Sequence, residues 1–367
     1  MLNNWLSPLK QRQFSNFAHL SDHQFGKRIV LYNDQLPDLS EVQLALIGIG
    51  SQGANAVRDQ LYRLNHPFEP LKIVDLGNAR KKDIPFLIPV LSELLVSGIF
   101  PIIIGDHADQ AMAQHLAYQS KQQLTNLVVV DQNIPLAAPT DDQPALLDNI
   151  LDSRKPKIFN LALLAYQGHY VPQATIDTLE QYHFEHFRLG NIREHIQETE
   201  PLIRDADLLA FNIESIRSSE APAVLQASPS GLFAEEACQI SRYAGLSDKL
   251  TSIGFYGYRP EHDQREQTAA LIAQMIWYFI FGFHQRKSDY PISTDGLLEY
   301  IVDLKQYDHQ FTFWKSSKSG RWWMQIPVKT QKKHQRHRLI PCSYNDYQMA
   351  CQNDLPDRLL SAYKRFS

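Results

Sequence analysis

The strongest pattern along the chain is a series of short apolar runs that stop at a glycine or a polar residue. They read "VQLALIGIG" (42–50), "LKIVDLG" (71–77), "FPIIIGD" (100–106), "LVVVD" (127–131), "KIFNLALLAY" (157–166), "DLLAFNIE" (207–214) and "LTSIGFYGY" (250–258). Most are apolar at odd and even positions alike, which is the pattern of parallel strands covered on both faces. Between them lie segments with helical periodicity, including "ANAVRDQLYRL" (54–64), "IPFLIPVLSELLVSG" (84–98), "DQAMAQHLAYQSKQ" (109–122) and "AEEACQISRYAGLSD" (234–248). Strand and helix alternate, which predicts an α/β fold: a three-layer αβα sandwich with a mostly parallel sheet of about eight strands.

From about Tyr290 the texture changes. "FTFWKSS", "KSGRWWMQIPV" and "RHRLIPCSY" read as short strands around turns. The expected organisation is therefore an αβα domain over 1–289 and a C-terminal extension over 290–367. Trp314, Trp322 and Trp323 are read as a small core for the extension, with a partner surface as the other reading. The run "KTQKKHQRHR" (329–338) is read as a solvated hairpin tip, because the chain as a whole is acidic, with a net charge of −4. That charge argues against general nucleic-acid binding.

No apolar stretch near the N-terminus resembles a signal peptide. The longest apolar run, Ala269–Phe283, is too short to span a bilayer comfortably and reads as a buried helix. A soluble cytoplasmic protein without membrane contact is expected. The three cysteines form no CxxC and, being odd in number, no disulfide framework. Cys238 sits at helical spacing with Ile240 and Tyr243 and reads as a core thiol. His169 follows a strand end and reads as structural.

Two constellations carry chemistry. The first is Gly48-x-Gly50-x-x-Gly53 between a strand and a helix, with Asp75 ending the next strand. That spacing satisfies a dinucleotide fingerprint, and it equally suits a glycine turn in another α/β fold. Arg58 and Tyr62 on the following helix are not the small residues that close dinucleotide packing prefers. The second is a set of polar strand ends: Asp106, His107 and Asp109; Asp131 and Asn133; Asn212 and Glu214; Tyr256 and Arg259. In a parallel sheet these share one edge, where oxygen and nitrogen ligands could gather around a metal.

The order of "GDH", then "VVVDQNIP", then "FNIESIRSSEAP", then "YGYRP" resembles the ureohydrolase superfamily of arginases, agmatinases and formimidoylglutamases over roughly Leu44 to Phe283. The stretch "GLFAEEACQISRYAG" with "GFYGYRPEHDQREQTAALIAQMIWYFI" resembles formimidoylglutamase-like proteins most. The resemblance implies an arginase-like fold and makes the dinucleotide reading the weaker one. It implies a dinuclear site built from GGDHS, DAHxD and SxDxD motifs. His107 matches the metal-binding His of the first. In the second, Asp131 matches, but Asn133 stands in place of the His and Pro135 in place of the second Asp. In the third, Asn212 and Glu214 replace the two acids. Gly257 stands where the family places a Glu to grip the cationic substrate, Arg259 follows two positions later, and Arg217 stands where another acid is usual.

Only two of four carboxylates remain on this alignment, too few to compensate two divalent ions in a partly dry pocket. The expected cofactor is none, or at most one manganese-like cation held by His107, Asp131 and Glu214. Asp131 in a structural role, as a cap or as a partner of Arg217, is the competing reading. The expected function is a catalytically inactive ureohydrolase-fold protein with a binding or assembly role, its ligand or protein partner unknown, forming a homo-oligomer as the family does. An active amidine or amide hydrolase with a reduced metal site is the alternative.

Overall fold

The computed structural model describes all residues except 1, 15–16, 121–123, 135–145, 147–149, 151–157, 292–293, 305–308, 327–337 and 367. The apolar runs become β3 (Leu44–Ile49), β4 (Ile73–Ala79), β5 (Phe100–Gly105), β6 (Thr125–Val130), β7 (Ile158–Tyr166), β9 (Leu208–Asn212) and β10 (Ser252–Tyr256). A further parallel strand, β8 (Glu185–Arg188), completes the order β4-β3-β5-β10-β9-β6-β7-β8. Two short strands extend the β4 edge: β1 (Leu6–Ser7) pairs with it antiparallel and β2 (Val30–Leu31) parallel.

The two-sided apolar pattern has a direct structural meaning, because successive side chains of a strand point to opposite faces. Leu44 and Leu46 of β3 and Val128 and Val130 of β6 enter one core, with Val57 and Leu61 of helix Ser51–Leu61. Helices Ala234–Leu246 and Gln267–His284 close that face, supplying Ile240, Ile272 and Phe279. Ala45, Ile47, Leu127 and Val129 enter the other core, under helices Ile84–Val96, Ala111–Ala117 and Gln173–Gln181. Each buried Leu, Ile or Val side chain contributes about 1.5–3 kcal/mol, so the two interfaces carry the fold. The run Ala269–Phe283 lies within the buried helix Gln267–His284, and no helix among the described residues is long and apolar enough to cross a membrane.

After Tyr290 a second sheet forms, antiparallel, in the order β11 (Leu297–Leu304), β12 (His309–Ser316), β13 (Trp322–Gln325), β14 (Leu339–Cys342). Helices Tyr344–Cys351 and Asp357–Phe366 follow it. Trp322 joins Phe313, Met324 and Ile340 in its core. Trp323 instead faces the large domain, where the buried Arg204 guanidinium lies 4.5 Å from its ring centre. Arg204 also donates to the Trp322 and Cys342 carbonyls, both at 3.1 Å, so one cation satisfies strand ends of the second sheet. Trp314 is half-buried and its indole donates to Gln325. Apart from Arg338, the basic run 329–338 lies outside the described residues.

Candidate functional site

Four adjacent strands, β5, β10, β9 and β6, deliver His107, Gly257 with Arg259, Asn212 with Glu214, and Asp131 with Asn133 to one edge of the sheet. The side chains there fall into two groups.

The first group centres on Asp131, which is 7% exposed. The Asn212 amide nitrogen donates to Asp131 Oδ2 at 2.9 Å, and the Asn133 backbone N–H donates to Oδ1 at 3.1 Å. The Asn212 amide orientation is fixed by its other contact: the Glu214 backbone N–H can only donate, and it meets Asn212 Oδ1 at 3.2 Å. The half-buried Glu214 carboxylate accepts from the Gln226 backbone N–H at 3.1 Å. The Asn133 side chain is exposed and accepts from the Ile134 N–H, so it turns away from the carboxylate. Burial raises the Asp131 carboxyl from 3.8 to about 7, against the lowering effect of the Asn212 and Asn133 hydrogen bonds, and Glu214 adds to the rise.

Gly257 is part of the same group. Its φ of +87° belongs to the left-handed region, and a Cβ there would come within 2.5 Å of Asn212 Oδ1. The acid that the resemblance would place at this position therefore meets both a strained backbone and the Asn212 amide.

The second group lies beside it. The Arg259 terminal nitrogens sit 3.1 and 3.0 Å from the two ring nitrogens of His107. A neutral imidazole has one acceptor nitrogen, so only one of these contacts is a hydrogen bond. Arg259 and His107 line a cleft of about 300 Å³ with Gly50–Gly53, Lys82, Asp106, Pro260 and Glu261. Asp106 accepts from Gln110 at 2.7 Å and pairs with Lys82. Sequence reasoning missed Lys82. Its signal was a basic run just beyond the β4 strand end, Arg80–Lys82 in "NARKKD".

The other residues singled out by the sequence take the following places, some of them different from the expected ones. Asp131 does not pair with Arg217, which binds Glu220 at 2.8 Å and stacks on Phe233. Tyr256 is buried and donates to Gln114 at 3.0 Å, so it belongs to the core beneath the edge. His107, Asp131 and Glu214 are not gathered as a ligand set: among the described residues no three His, Cys, Asp or Glu side chains are placed to hold one ion. Pro135 lies outside the described residues. His169 is exposed, with its ring 4.2 Å from that of Tyr170. Cys238 is buried among apolar neighbours, and burial pushes its thiol up to about 12, which suits a core residue.

The glycine fingerprint resolves differently from a dinucleotide site. Asp75, the residue in the ribose-binding position, is fully buried and accepts from Arg58 Nε at 2.8 Å and Arg58 Nη2 at 3.0 Å. The Tyr62 hydroxyl adds a third bond at 2.8 Å. The carboxylate is consumed internally and faces no cleft.

Comparison with known proteins gives a consistent picture. Residues 153–282 match the Arginase family model. A formimidoylglutamase from Staphylococcus haemolyticus (strain JCSC1435) is 26% identical over 188 residues, covering 48% of this chain and 60% of that protein. The match thus spans less than two thirds of that relative's length. The fold superposes on a Trypanosoma cruzi formiminoglutamase solved with Mn2+, with a TM-score of 0.62, 18% identity, and coverage of 69% of this chain and 97% of that one. It also superposes on a Bacillus subtilis formimidoylglutamase, with a TM-score of 0.60, 17% identity, and coverage of 68% and 90%. The residues described here do not fit a pair of divalent ions. Asn212 presents a donor toward Asp131, where a bridged ion would need acceptors.

Proposed function

We propose that this chain, which resembles the ureohydrolase superfamily in both sequence and fold, acts as a binding or assembly protein and not as a metal-dependent hydrolase. The observation that carries this reading is the hydrogen bond from the Asn212 amide to Asp131. It fills with a neutral donor the space in which the resemblance would set a second carboxylate and a cation. With Asp131 and Glu214 as the remaining acids, two divalent ions would be undercompensated in a partly dry pocket. Gly257 removes the acid that would recognise a cationic amidine, and a bidentate carboxylate is what makes such recognition specific.

A second reading has support of its own. Asp131 is raised to about 7, so it would change protonation near neutral pH, as a general acid or base does. With the likeness to formimidoylglutamase, this favours an amidine hydrolase working through a reduced site. A turnover assay separates the two. With manganese present, arginine, agmatine and formiminoglutamate are expected to release no urea or formamide above the protein-free blank. Turnover that disappears in Asp131→Ala would establish the second reading.

A further inference from the structure

We propose that the cleft between the ends of β3 and β5 binds a small molecule through a compact oxyanion, a phosphate or a pair of carboxylates, using Arg259 where a metalloenzyme would use a cation. This deepens the binding role proposed above and rests on that reading for its biological use, although the two fail independently.

Three observations converge on this cleft. The first is topological. The chain leaves β3 for helix Ser51–Leu61 on one face of the sheet, and leaves the adjacent β5 for helix Ala111–Ala117 on the other. The crevice between two such strands is where open α/β sheets bind ligands.

The second is the state of Arg259. It makes no ion pair among the described residues, and its Nε is enclosed without an acceptor. Since His107 can accept only one hydrogen bond, most of its five N–H groups have no protein acceptor among the described residues. The terminal ones line the cleft, where a carboxylate or phosphate would accept from them in charge-assisted hydrogen bonds.

The third is the set of donors opposite. The N–H groups of Ser51, Gln52 and Gly53 open an eleven-residue helix and find no acceptor among the described residues. Gly50, at φ +86°, lets this turn approach Asp106 so closely that a Cβ would lie 2.4 Å from its carboxylate. Asp106 is already neutralised by Lys82. Glu261 is exposed at the rim and makes no ion pair with Arg259. Arg259 is thus the lining cation without a carboxylate partner among the described residues.

Thermal melts and calorimetric titrations with inorganic phosphate and with malonate, at ionic strength held constant with sodium chloride, test the proposal. A saturable rise in melting temperature with at least one of the two is expected, and which one acts distinguishes a phosphate ligand from a dicarboxylate. Arg259→Gln should weaken that binding at least tenfold. Gln52→Glu, which adds a negative charge to the cleft at a helix position that tolerates acids, should do the same while folding normally. Lys364→Gln, on the distant C-terminal helix, should leave binding unchanged. No saturable effect beyond that of chloride, or equal binding in Gln52→Glu, would overturn the proposal. The turnover assay, which tests the reading above, has no bearing on this result.

Discussion

Replacing Arg58 with Met is expected to destabilise the fold by about 3–5 kcal/mol, the cost of removing one partner of a buried ion pair. Both side chains are fully buried, and the pair is bidentate. The same guanidinium donates to Asn78 Oδ1 at 2.6 Å and to the Gly77 carbonyl at 2.7 Å, so its loss orphans several acceptors together. Tyr62 cannot take over: burial and the neighbouring Asp75 hold its phenol well above the ordinary value, so it remains one neutral donor. Removing the carboxylate as well, in Arg58→Met with Asp75→Asn, should recover part of the loss, since the uncompensated charge is then gone. Denaturant unfolding checks this. An Arg58→Met protein within about 1 kcal/mol of the parent, below the range for such pairs, would mean that Asp75 is reachable by water and open to a ligand after all.

Asp131→Asn is expected to have the opposite sign and a strong pH dependence. In the folded protein the carboxyl is raised from 3.8 to about 7. Between those values the unfolded chain ionises while the folded one keeps its proton, so stability falls as pH rises from about 4 to about 7 and is level above that. The full cost is about 4 kcal/mol, at about 1.4 kcal/mol per pH unit. Asparagine carries no such penalty but loses about one hydrogen bond, worth about 1 kcal/mol. The variant should therefore match or trail the parent at pH 4 and exceed it by roughly 3 kcal/mol at pH 8, in metal-free buffer. His115, lowered to about 4 by burial, acts in the reverse direction in both proteins and cancels in the difference. A difference that does not change with pH would show that Asp131 is ionised in the folded state, as a metal ligand would be.

Those two residues also show what could be read before the structure. The strands β3, β4, β5, β6, β7, β9 and β10 are visible because both faces are buried, so apolar residues occupy odd and even positions alike. The strand β8, "EHFR", is not, because it lies at the sheet edge and its side chains are only partly covered. Asp131 and Asn212 are recognisable as strand-end residues, but the bond between them joins positions 81 apart, and no periodicity reports it. The contact of Arg259 with His107 spans 152 positions and is equally silent. Arg58 and Tyr62 gave a partial signal: they sit one helical turn apart and look wrong for a dinucleotide fold. Their purpose appears only when β4 brings Asp75 against that helix. The helices Tyr344–Cys351 and Asp357–Phe366 were missed, since short strands dominate the texture around them.

The strand-end cluster around Asp131 is proposed to be closed by its own hydrogen bonds and not to assemble a pair of metal ions. Elemental analysis of protein purified with excess manganese and then desalted decides the matter. Well below two ions per chain are predicted, with the same low content in Asp131→Ala. Two ions per chain, lost in Asp131→Ala, would contradict the account.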